Sequence, residues 1–87
     1  MKYDYDCVRD LLVYIYNTLD NRELILMKEI EMSPKFKKYS TEKIRQTIRK
    51  MMEDRLIEAV ESTRLPNYIM ISDLTYDGCI LMKNLLS

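Results

Sequence analysis

Lys35-Phe-Lys-Lys-Tyr-Ser40-Thr-Glu-Lys-Ile-Arg-Gln-Thr-Ile-Arg-Lys50-Met-Met-Glu-Asp-Arg-Leu-Ile-Glu-Ala-Val60 decides how the chain reads: a cationic loop, then an amphipathic helix, then a short apolar strand. Ser40 or Thr41 can accept a hydrogen bond from a free amide of the first helical turn, and Glu42 suits the positive end of the helix dipole. Ile44, Ile48, Met51 and Met52 follow at spacings of four, three and one, so they share one face. Lys43, Gln46, Arg49, Lys50 and Glu53 point away from that face, with Arg45 towards its flank.

Between Lys35 and Lys50 the bases Lys35, Lys37, Lys38, Lys43, Arg45, Arg49 and Lys50 face one acid, Glu42. Half of the chain's 14 Lys and Arg lie there although the whole chain is neutral, so the remainder carries the matching negative excess. A helix that buries one face and offers Lys, Gln and Arg on the other suits base-edge readout by Arg and Gln and phosphate neutralisation by Lys. The plainer reading is a solvated helix face, which is what charges on a helix usually are.

Eighty-seven residues with 47% apolar content suffice for one small core and hence one domain, residues 1–87. Lys2, Asp4, Asp6, Arg9 and Asp10 interrupt any apolar leader, and no apolar run approaches membrane-spanning length, so the expectation is a soluble intracellular protein. Cys7 and Cys79 stand alone at opposite ends and read as buried thiols, with no disulfide framework or zinc site. Without histidine there is no imidazole base, triad or His-containing metal site, and one glycine cannot build a phosphate-cradling loop. No carboxylate pair stands in an acid-base context. The expectation is no enzyme, no catalytic residue, no metal and no cofactor.

Upstream, Asp4 is a candidate N-cap for a first helix with Val8, Leu11, Leu12, Ile15 and Leu19 on one face, and Asp20-Asn21 is a stop signal. Tyr14 and Tyr16 fall off the centre of that stripe and read as packing residues rather than an aromatic surface. Leu24 to Met27 can be a short strand, and Lys28 to Met32 either continues it or forms a helical turn before Ser33-Pro34 breaks the chain. Downstream, Leu56 to Glu61 and Tyr68 to Ile71 form a hairpin around Pro66, with Arg64 near its tip within reach of a phosphate. Thr75 caps a last helix carrying Ile80, Leu81, Met82, Leu85 and Leu86. Gly78 in its first turn opposes helix propensity, which implies close packing there.

The chain resembles small winged-helix domains of unknown function from bacteria and their phages. The resemblance rests on the opening Met1-Lys2-x-Asp4-x-Asp6-x-Val8-Arg9-x-Leu11-Leu12, with Tyr39-Ser40-x-Glu42-x-Ile44, Leu56-Ile57-Glu58-Ala59 and Leu74-Thr75-x-x-Gly78 in support. Arg55 stands where such domains usually place a glycine, which implies a different helix exit, and no histidine occurs near Thr47. The resemblance implies an α+β winged helix-turn-helix and a phage or prophage setting: first helix, short strand, central recognition-type helix, β-hairpin wing and C-terminal helix. It names no catalytic residue.

The leading expectation is therefore a small non-enzymatic transcription regulator that binds double-stranded DNA through Lys35, Lys37, Lys38, Lys43, Arg45, Gln46, Arg49, Lys50 and Arg64. The alternative is a phage-type interaction module whose basic face docks on an acidic host protein surface, inhibiting a host protein or protein–nucleic-acid complex. Exposed tyrosines away from the basic face would favour the protein partner, and a bare basic face DNA. The apolar content of Ile80 to Leu86 exceeds one stripe and leaves surface for a homodimer.

Overall fold

The computed structural model describes residues 3–87, so the Met1-Lys2 start of the resembling motif lies outside the described residues. The element order is α1 (Tyr5–Thr18), β1 (Ile25–Leu26), α2 (Met27–Met32), a 3-10 turn (Pro34–Phe36), α3 (Thr41–Glu53), β2 (Ile57–Glu61), β3 (Ile69–Leu74) and α4 (Tyr76–Leu86). Four helices pack with a three-stranded antiparallel sheet in the order β1-β3-β2, an α+β arrangement compatible with a winged helix. The apolar Leu24–Met27 run divides: Ile25 and Leu26 pair with Ile71 and Met70, and Met27 already opens α2. The Glu29 carboxylate accepts from the Leu26 amide at 3.3 Å, satisfying one of the free donors at that start.

Sequence capping signals act where they stand. Asp4 accepts from the amides of Asp6 and Cys7, Ser40 from Lys43, and Thr75 from Gly78. The α1 stop lies earlier than Asp20-Asn21. The helix ends at Thr18 with Leu19 still right-handed, and Asn21 has no positive φ, so no left-handed residue terminates it.

α3 leaves through Arg55, whose φ is 56°. The Arg55 amide donates to the Met52 carbonyl at 3.1 Å and the Leu56 amide to the Met51 carbonyl at 2.9 Å, the paired bonds of a Schellman motif. Arg55 thus adopts the left-handed conformation a glycine would have taken, and the different exit expected from its side chain does not occur. Downstream, β2 and β3 pair from Ile57↔Leu74 to Glu61↔Ile69, with an irregularity between Glu58 and Ala59, and Asn67 turns the hairpin at φ 63°. β3 runs three residues beyond the expected Ile71, because Asp73 and Leu74 continue the ladder with Glu58 and Ile57 of β2 after the pairing with β1 has ended at Ile71.

One core joins all elements. Val8, Leu11, Leu12 and Ile15 of α1 meet Ile44, Ile48 and Met51 of α3, with Ile57, Ile69 and Ile71 from the sheet and Leu56 before β2. α4 departs from the expected orientation: Leu81 and Leu85 are only half-buried, whereas Gly78 and Met82 face inward and Ile80 and Leu86 face out. Gly78 is the cause. A Cβ there would lie 2.0 Å from the Leu56 carbonyl oxygen, so the bare glycine lets α4 touch that strand entry and turns Met82, one helical turn on, into the core.

Thr47, near the position where a histidine would be sought, is buried, and its hydroxyl donates to the Lys43 carbonyl at 2.7 Å. Cys7 is buried and Cys79 half-buried, both as free thiols. Burial pushes the Cys7 thiol up, away from thiolate reactivity. No helix among the described residues is long and apolar enough to cross a membrane.

Candidate binding surface

The bases singled out in the sequence are mostly held by the chain's own carboxylates. Arg49 of α3 reaches β2 with two bonds to Glu61, at 2.5 and 2.9 Å, and donates to the Asn67 side chain at 2.7 Å. Arg45 forks onto Glu31 of α2 at 2.8 and 3.3 Å, and the Glu31 side chain is largely buried. Lys43 meets Asp4 at 3.4 Å, Lys50 meets Asp54 at 3.2 Å, and Gln46 donates to Glu42 at 3.1 Å. The acids respond as paired carboxylates do. Hydrogen bonds from Arg49 to Glu61, and from Tyr3 and Lys50 to Asp54, hold both below the usual carboxylate range, and the Cys7 amide, followed by Lys43, does the same for Asp4.

These pairs are topological. Arg45 ties α3 to α2, Arg49 ties it to the hairpin, and Lys43 ties it to the start of α1. A guanidinium forked onto a carboxylate has used the donor pair that would read a guanine edge. Arg64 differs: it is exposed in the hairpin turn, where its amide donates to the Ser62 hydroxyl and its side chain has no carboxylate partner among the described residues.

Lys35 lies in the 3-10 turn, and Lys37 and Lys38 follow it. Lys37 is exposed and has no carboxylate partner among the described residues, and the Lys35 ammonium lies 5.8 Å from the centre of the Tyr14 ring. Lys38 meets Asp10 at 3.1 Å. With α1 the turn forms a cleft of about 380 Å³ whose rim carries Arg9, Lys35 and Lys38 and whose floor is Val13, Tyr14 and Phe36, with Leu86 of α4 as a wall.

Asp10 is the one carboxylate lining that cleft, and it is already occupied: Tyr39 donates to it at 2.8 Å, Arg9 at 3.2 and 3.3 Å, and Lys38 completes the set. Burial works to raise its pKa, but those three donors outweigh it and hold Asp10 below the ordinary value, so it stays charged at neutral pH. Burial and the facing Asp10 carboxylate raise the Tyr39 hydroxyl, which therefore stays a donor.

The sequence reading singled out Lys35 and Lys38 but missed Arg9, Asp10 and the apolar floor. One signal was present: Tyr14 off its helix stripe and Phe36 inside a basic loop both needed an apolar partner, and each is the other's, edge-on at 5.4 Å.

Nothing among the curated proteins matches the chain, and nothing among the solved structures does. A family model described as "Hypothetical protein (DUF2513)" matches residues 2–86. Covered over nearly its whole length by that match, the chain belongs to this family of hypothetical proteins.

Proposed function

We propose that the four helices and the β2–β3 hairpin form a winged helix-turn-helix, and that this domain is a non-enzymatic interaction module whose partner is an acidic protein surface. One observation carries the choice between protein and DNA. Lys43, Arg45, Arg49 and Lys50, the bases of the helix that would enter a major groove, each sit in an ion pair within the chain. Binding DNA through α3 would require exchanging those partners for phosphates and bases, which lowers the gain from each contact. Exposed apolar side chains support the same reading: Tyr16 on α1, and Tyr76 and Ile80 four residues apart on one side of α4. Tyr76 is 80% exposed.

Double-stranded DNA is the second reading, favoured by Arg64 at the hairpin tip and by Lys35 and Lys37, free cations at positions suited to phosphate contact. A shift assay on random duplex at two salt concentrations separates the two. The protein reading predicts no duplex binding even at about 50 mM salt, where phosphate contacts alone should hold a non-specific binder. Binding with a log–log salt slope near −4.5, as about five phosphate neutralisations give, would replace it with the DNA reading. In that case Arg49→Ala should cost roughly 1–3 kcal/mol on a preferred sequence and Lys37→Ala should weaken all sequences alike.

The homodimer proposed alongside rests on the outward Ile80 and Tyr76 of α4. Sedimentation that finds only monomer at high micromolar concentration would remove it.

A further inference from the structure

The geometry points to the cleft between α1, the 3-10 turn and the last turn of α4 as the docking site for an acidic segment of a partner protein that inserts one apolar side chain. This deepens the protein-binding reading and rests on it.

Charge selects the sign of the occupant. Inside the cleft Arg9, Lys35 and Lys38 face a single carboxylate, Asp10, whose oxygens already accept from Tyr39, Arg9 and Lys38. Asp6 meets Arg9 from the solvent side at 3.4 Å, and the Asp6 side chain is 77% exposed, so that pair is weakly held. Counting both acids, the three cations still leave an excess of one, and exposed Lys37 beside the rim adds to it. Arg9 and Lys38 are committed to Asp10 and Asp6, so the charge an arriving carboxylate meets without displacing a partner is that of Lys35, with Lys37 beside the rim.

The floor selects the rest. Val13, Tyr14 and Phe36 make an apolar base, and Phe36 is 2% exposed, so the base is packed rather than adaptable. A volume of about 380 Å³ holds one large apolar side chain with its flanking backbone. A nucleic acid would use the cations but little of this floor: Phe36 is 2% exposed, and Tyr14 is packed against it at 5.4 Å with the Lys35 ammonium 5.8 Å from its ring centre, where a stacking base would have to displace that cation. A small ligand is disfavoured by low walls, since Lys38 and Leu86 are each more than half exposed and such ligands are usually mostly enclosed. An extended acidic segment needs only its anchor enclosed and its carboxylates at the rim.

The test uses the full chain, isotope-labelled for NMR, titrated with the synthetic peptide Glu-Glu-Phe-Glu-Glu blocked at both ends. Saturable shifts should concentrate at Arg9, Val13, Lys35, Phe36 and Leu86, with a Kd near 1 mM or tighter, roughly the range of a single anchor. An Ala-centred peptide should bind about tenfold more weakly, and a Lys-flanked one should not bind. Lys35→Glu, an exposed substitution that breaks no ion pair, should weaken binding by at least about tenfold while its thermal melt stays with the parent. Lys28→Glu, on an exposed position of α2 outside the cleft, should leave binding unchanged. Absence of shifts at about 5 mM peptide, shifts centred on α3, or equal binding by the Lys-flanked peptide would each overturn the site. The reading beneath it fails separately: duplex binding through α3 and Arg64 overturns that, whereas a peptide that misses the cleft leaves it standing.

Discussion

A Cβ on Gly78 would stand 2.0 Å from the Leu56 carbonyl oxygen, a backbone atom that also accepts from the Thr75 amide and cannot move without disturbing the α4 start. Gly78→Ala therefore destabilises despite its better helix propensity, by roughly 1–3 kcal/mol on urea unfolding, because an overpacked backbone contact outweighs the helical gain. A variant as stable as the parent would mean that α4 is not in that contact. Arg55 presents the opposite case, a side chain where a glycine is favoured. Left-handed geometry costs a non-glycine roughly 1–2 kcal/mol, and glycine's extra chain entropy returns about half of that, so Arg55→Gly should stabilise by about 0.5–1 kcal/mol. The urea midpoint measures it, and a loss of stability would show that Arg55 contributes through its side chain.

The elements are joined by caps and cross-element pairs more than by length, since α2 has six residues and β1 two. Thr75 is the densest of these joints. Its oxygen accepts from the Gly78 amide at 3.0 Å while its hydroxyl donates to the Arg55 carbonyl at 2.6 Å, so one side chain fastens the α4 start to the α3 exit. Thr75→Ala should cost about 1 kcal/mol, towards 2 if the second bond contributes fully, measured by thermal or urea unfolding, whereas Thr75→Ser should keep most of it. Within α3, Ile48 is fully buried between α1 and the sheet, and Ile48→Ala should cost on the order of 2–4 kcal/mol. A parent-like melt of that variant would mean that α3 presents a different face to the core.

Across the whole molecule the carboxylates set the pH response. Asp4, Asp10, Glu29, Asp54 and Glu61 are all held below their ordinary pKa in the folded state. A depressed folded pKa means that the unfolded chain takes up protons first as acid is added. The stabilisation is therefore complete above the unfolded carboxyl range, about pH 4, and declines as pH falls through the lowered folded values. Urea midpoints should be nearly flat between about pH 6 and 8, since no histidine titrates there, and should fall steeply below about pH 4. Asp10→Asn should lower the neutral midpoint and flatten the acid decline, because the donors from Arg9, Lys38 and Tyr39 then meet a group that no longer titrates. An unchanged acid limb in that variant would remove Asp10 from the set.

Periodicity and caps made the helices legible in the sequence: α1 from Asp4, α3 from Ser40 and α4 from Thr75, together with the hairpin and the close packing at Gly78. The caps and stripes depend on neighbours within about four residues, which a sequence displays directly, and Gly78 showed itself as a local conflict with helix propensity although its contact, Leu56, was not legible. The division of Leu24–Leu26-Met27 between strand and helix was not legible, because a short apolar run suits either and only pairing with β3 chose the strand for Ile25 and Leu26. Nor was the rotation of α4, which the Leu56 backbone decides from more than twenty residues away. The binding surface divides in the same way. The sequence by itself determined that cations concentrate between Lys35 and Lys50, whereas the tertiary structure decided which of them keep a free charge: Glu31 comes from α2 to hold Arg45, Glu61 from β2 to hold Arg49 and Asp4 from before α1 to hold Lys43. A side chain's charge is local, but its neutralisation depends on what folding brings within about 4 Å, and that is a property of the packed elements rather than of the stretch that carries the charge.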